Sequence, residues 1–110
     1  MAADLILELG EKSALLDKAI TQLGVRGKTH AQAEHDYRVA LSKKILAYRA
    51  EGFPVTIIPD LCRGDPEIAR LRFERDVAQT VYESAKEAIN GYKLQIKVLD
   101  AQIAREWGRM

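Results

Sequence analysis

The chain has 110 residues, of which 47% are hydrophobic, 30% charged and only 6% aromatic, the make-up of a single small helix-rich domain. Its 17 Lys and Arg nearly cancel 16 Asp and Glu, and a net charge of +1 argues against both a globally basic nucleic-acid or membrane binder and an acidic mimic of DNA. The longest stretch without a charge, Gly52 to Pro59, falls far short of the roughly 20 residues that cross a bilayer.

At the N-terminal end Asp4 and Glu8 interrupt the apolar residues, and no basic start precedes a long apolar block, so a secretory signal is not expected. The single cysteine, Cys62, has no Cys or His neighbour at metal spacing and fits a reducing compartment. These features predict a cytoplasmic protein in which Cys62 is a small loop residue.

From Leu5 to Leu23 apolar residues recur three and four apart, as Ile6, Leu9, Leu16, Ile20 and Leu23, with Ser13 the polar member. That spacing predicts an amphipathic helix. Gly24 and Gly27 then interrupt it, and Thr29 with Gln32 has the form of a capping box that would start a new helix. The register opposes a break, because sevens counted from Ile6 run through Ile20, Gly27, Glu34, Leu41 and Tyr48, and from Leu9 through Leu23, His30 and Tyr37. Two interior glycines cost a helix only about 1 kcal/mol each. The sequence therefore favours one helix from Ala3 to about Glu51, weakened or kinked near Gly24 to Gly27, over two separate helices.

Gly52 is placed to end that helix by taking positive φ. Residues 52 to 64 then read as an irregular connection, whose β-branched and proline-rich part, Phe53 to Pro59, folds back as a lid or meets another chain. Asp65, Pro66 and Glu67 read as N-cap, first-turn proline and dipole-compensating acid of a second helix over 65 to 107. Its stripe is Ile68, Leu71, Arg75, Ala78, Tyr82, Ala85, Ile89, Tyr92, Ile96, Leu99 and Ile103.

Two such helices predict an all-α, long antiparallel helical hairpin resembling a coiled coil. One register sets Gly27 against Tyr92, Leu23 against Ile96, Ile20 against Leu99 and Leu16 against Ile103, and brings Lys44 near Arg75. Glu34 and Arg75 both fall on the seam, where a partner charge, a tyrosine or water must answer them. A lesser apolar line, Val77, Val81, Ala88, Leu94 and Val98, faces away from the seam. With Trp107, which must pack on Ile6 and Leu9 or on another chain, it predicts self-association as a homodimer or higher oligomer.

Chemistry has little purchase here. His30 and His35 are five apart and diverge on a helix, His30 toward the seam and His35 toward solvent. The acid pairs Glu34 and Asp36, and Glu74 and Asp76, are two apart and cannot share a proton or a metal. There is no nucleophile with its base and no glycine-rich phosphate loop. The expectation is a protein without catalytic residues, metal or cofactor. The tip is more suggestive: Arg63, Arg70, Arg72 and Arg75 near a helix start, with Phe53 beside them, can hold a carboxylate or phosphate of a partner. Ordinary capping and surface ion pairs are the competing explanation for the same residues.

Tyr37-Arg38-Val39-Ala40-Leu41, Pro54-Val55-Thr56-Ile57-Ile58 followed by Arg63-Gly64-Asp65, Leu71-Arg72-Phe73-Glu74-Arg75 and Glu106-Trp107-Gly108 resemble a group of small helical proteins of bacteriophages and prophages of Gram-positive bacteria. The resemblance spans about Tyr37 to the C-terminus and carries no catalytic residue. It implies a phage accessory protein, acting in the bacterial host cell, that binds and inhibits a host antiviral defence protein. Sequestering a nucleotide, or assisting phage replication and recombination through nucleic acid, is the alternative; a structural virion component is a third.

Overall fold

A computed structural model describes residues 2–109. Three helices, α1 (Ala2–Ala50), α2 (Ile58–Gly64) and α3 (Pro66–Gly108), make an all-α helical hairpin. The chain forms two compact units, one of Met1–Val25 with Glu83–Met110 and the other of Arg26–Tyr82. No helix among the described residues is long and apolar enough to cross a membrane.

α1 runs unbroken through Gly24 and Gly27. This is the continuous helix that the register favoured, and the alternative start at Thr29 is not used; Gln32 Nε2 donates to Asp36 Oδ1 one turn on, at 2.9 Å. Gly52 ends α1 as expected, at φ 89°. Its N–H donates to the Arg49 carbonyl at 3.1 Å while the Phe53 N–H reaches back to Tyr48 at 3.2 Å. These are the two bonds of a Schellman ending. The apolar contact that accompanies such an ending is Phe53 edge-on to the Tyr48 ring, with centroids 5.5 Å apart.

The connection is more ordered than expected. A turn closed by Ile57 N–H to Pro54 carbonyl, 3.1 Å, leads into α2. Pro59 sits in its first turn, where a missing N–H costs nothing. Cys62, expected in a loop, is helical and only 2% exposed. The seven-residue α2 is too short for a helical period to stand out in sequence.

In the unit of Arg26–Tyr82 the two long helices are antiparallel: Gly27 lies against Tyr82, Glu34 against Arg75 and Lys44 against Asp65. The expected pairing of Gly27 with Tyr92 is therefore displaced by ten residues, and Lys44 meets an acid rather than Arg75. A ring does fill the place where α1 lacks a side chain, but it is another ring of the same stripe. A 3.5-residue repeat allows a slide of three plus seven residues with stripe still on stripe. Charge pairing at Lys44–Asp65 and Glu34–Arg75 separates the alternatives.

Every residue of the α3 stripe from Ile68 to Ile103 is buried or half-buried. In the unit of Met1–Val25 with Glu83–Met110, Ile89 and Leu99 are its most buried residues. The facing stripe of α1 is Leu5, Leu9, Lys12, Leu16, Ala19 and Leu23, all half-buried. Ile6 and Ile20, expected there, are 48% and 50% exposed. Side-chain hydrophobicity misleads at these two places: the seam takes a small alanine and the aliphatic stem of a lysine instead.

Two glycines test this packing. A Cβ at Gly24 would meet nothing within 4 Å, whereas one at Gly27 would lie 3.1 Å from Tyr82 Cε1. Gly24→Ala should raise unfolding free energy by about 0.5–1 kcal/mol. Gly27→Ala should forfeit that gain, a difference measurable by urea unfolding.

Candidate binding groove at the hairpin tip

Asp65 organises the tip. Its Oδ1 accepts the N–H groups of Glu67 and Ile68, both at 3.1 Å, and its Oδ2 pairs with Lys44 Nζ at 3.2 Å. One side chain thus caps α3 and ties it to α1, as the Asp-Pro-Glu sequence suggested for the cap alone. The bond from the Ile68 amide, followed by Lys44, holds the Asp65 carboxyl below its ordinary value, and Asp65 in turn raises Lys44.

An Asp65 pKa depressed by folding stabilises the fold fully above its unfolded value, near 3.8, and loses that contribution as pH falls through the folded value. Asn at this place keeps a capping oxygen but not the charge. Asp65→Asn should therefore flatten the fall in Tm between about pH 4 and pH 2, measured by thermal melts across that range.

With its amides taken by Asp65, the start of α3 does not offer free N–H groups to an outside anion, and this part of the expected anion site is corrected. The cationic site lies to one side. α1, α2 and α3 enclose an open groove of about 490 Å³, with Leu41, Ile45, Ile58, Cys62 and Ile68 among its apolar lining. Ile58, Cys62 and Ile68 are 3%, 2% and 2% exposed. Burial pushes the Cys62 thiol up, so it stays protonated and behaves as a small apolar group. Arg49, Arg63, Arg72 and Arg75 also line the groove, and among the described residues no carboxylate does.

The four arginines differ in commitment. Arg75 stacks its guanidinium 4.4 Å over the Tyr37 ring. It pairs with Asp76 at 2.9 Å and, from Nε, with Glu34 at 3.6 Å. The seam charges are therefore answered by each other and by a tyrosine, as their placement required. Asp76 chiefly raises the Arg75 pKa, and the bond from Arg38 at 2.7 Å chiefly lowers that of Glu34. Arg63 bonds Asp60 at 3.0 Å. Arg49 and Arg72 have no carboxylate partner among the described residues.

Of the five tip residues singled out in the sequence, the groove brings together Arg63, Arg72 and Arg75. Arg70 belongs to a different face, beside His35, Asp36 and Lys43, and bonds Glu74 at 2.8 Å. Phe53 is 39% exposed and packs on Tyr48 outside the groove. The floor residues were not singled out, because their burial depends on α2. His30 is half-buried with its ring stacked on Tyr82 at 5.8 Å, and His35 is exposed. No group of three or more His, Cys, Asp or Glu among the described residues is placed to hold a metal ion.

The lesser apolar line is exposed: Val77 45%, Val81 39%, Leu94 63% and Val98 51%, with Trp107 at 57%. Compared with protein-family models, with curated proteins and with solved structures, the chain matches none.

Proposed function

We propose that the chain is a non-enzymatic interaction protein that binds a partner protein through the arginine-rimmed groove at its tip. The observation that carries this reading is the pairing of a buried apolar floor with four rim arginines, two of them without a carboxylate. A floor of this kind takes an aliphatic or aromatic side chain, and the free guanidiniums take carboxylates flanking it. The fitting partner surface is an acidic segment with one bulky apolar anchor. The resemblance to small phage and prophage proteins supplies the setting, in which the partner belongs to a bacterial antiviral defence system and binding inhibits it.

The same free arginines favour one other reading, a nucleotide or nucleic-acid accessory protein in which the rim holds phosphates and the floor a base. Salt separates the two. Binding to DNA, RNA or a cyclic nucleotide that appears at low salt and falls steeply as salt rises supports the accessory reading. Inhibition of a defence protein that is bound directly, with loss of both on reversing Arg49 and Arg72, supports the first. Absence of any such loss would overturn both.

A further inference from the structure

A second surface lies on the same unit, away from the tip groove. Phe73, Val77 and Val81 stand one turn apart along α3 and are 68%, 45% and 39% exposed. They border a shallow groove of about 260 Å³ whose polar members are Arg26, Thr29 and Glu74. Three large apolar side chains on one i, i+4 ridge form the kind of ridge that packs into the groove of another helix.

The charges at its ends are opposite. Arg26 stands at the Val81 end, since the adjacent Gly27 lies against Tyr82, and Glu74 adjoins Phe73 at the other end. Arg26 has no carboxylate partner among the described residues. Glu74 Oε1 accepts from the Arg70 guanidinium at 2.8 Å. Such a surface complements itself only in one sense. Two copies with parallel α3 helices would set Arg26 against Arg26 and Glu74 against Glu74. Antiparallel helices set each Arg26 against the other copy's Glu74, and each Phe73 against the other copy's Val81.

We propose that this face is a homodimer interface in which two copies pack α3 against α3, antiparallel, about a twofold axis through Val77. None of these apolar residues lines the tip groove, so the dimer carries two open grooves and stands independently of what they bind.

Sedimentation of the full chain tests it. The wild type is expected to dimerise, and Val77→Arg to weaken the dimer by more than about tenfold while circular dichroism stays helical. Arg26→Glu and Glu74→Arg should each weaken it, and the double exchange should restore it. Val77→Cys should cross-link to itself under mild oxidation; Cys62, at 2% exposure, is shielded from competing. A wild type that is monomeric throughout would overturn the proposal. So would a dimer indifferent to Val77→Arg but lost in Leu94→Arg, or a charge exchange that fails to restore association.

Discussion

Ile68→Ala is expected to lower the free energy of unfolding by about 3 kcal/mol, read from urea denaturation. Among the described residues only Ile58, Cys62, Ile68, Ile89 and Leu99 are buried hydrophobics, and three of these sit at the tip. Ile68 is the member that α3 contributes, held by its own N–H on Asp65 at 3.1 Å. Removing three side-chain carbons there leaves a gap that α2 cannot easily fill, because Ile58 is already 97% covered and Pro59 limits the backbone of its first turn. Leu46→Ala deletes the same number of atoms but from a side chain that is 64% exposed and lies outside the Phe73–Val81 face, and should cost less than about 0.5 kcal/mol. Equal losses at the two positions would mean that the tip has no packed core.

The largest functional effect is expected from reversing both free rim charges. Arg49→Glu with Arg72→Glu replaces two guanidiniums that have no carboxylate partner among the described residues by two carboxylates, and does so beside an apolar floor. Each truncation of a partly desolvated charge contact costs about 2–5 kcal/mol of binding, and reversal adds repulsion. Partner binding should fall by at least about a thousandfold, since 1.4 kcal/mol is tenfold. Both residues are exposed and neither fills the seam, so the fold should be retained. Normal circular dichroism and urea unfolding would verify that the loss is one of recognition.

Much of the fold was legible because the α3 stripe repeats apolar residues with Arg75 as its one charge, and each end carries its own chemistry. Asp65-Pro66-Glu67 marks a start, Gly52 a stop, and Ile68 to Ile103 one face. The demand that Glu34 and Arg75 be answered could likewise be read, because a charge on a seam has few ways to be satisfied. What could not be read is the slide of one helix along the other. A regular stripe offers several registers of similar apolar contact, and choosing Tyr92 for Gly27 rather than Tyr82 moved the pairing by ten residues. Ile6 and Ile20 were misplaced for a related reason: two adjacent lines share Leu9, Leu16 and Leu23, and the one with larger side chains is not the one that packs.

The groove depended on the element that was missed. With residues 58–64 taken as loop, Cys62 and Ile58 had no reason to be buried, and the tip arginines formed one undifferentiated cluster. α2 divides them. It places Arg63 with Arg72, Arg75 and Arg49 around one floor and leaves Arg70 on another face.

That division supplies the most direct test. Arg70 and Arg72 are two residues apart on the same helix, both exposed, and reversal of either changes the net charge by the same amount. Binding of the purified partner should be measured for Arg70→Glu and Arg72→Glu side by side at physiological salt. A loss of tenfold or more, by the usual size of a charge-assisted contact, is expected for Arg72→Glu, with affinity near wild type for Arg70→Glu. Equal losses would mean that a diffuse charge field rather than the groove is recognised, and no loss in Arg72→Glu would contradict the groove as the binding surface.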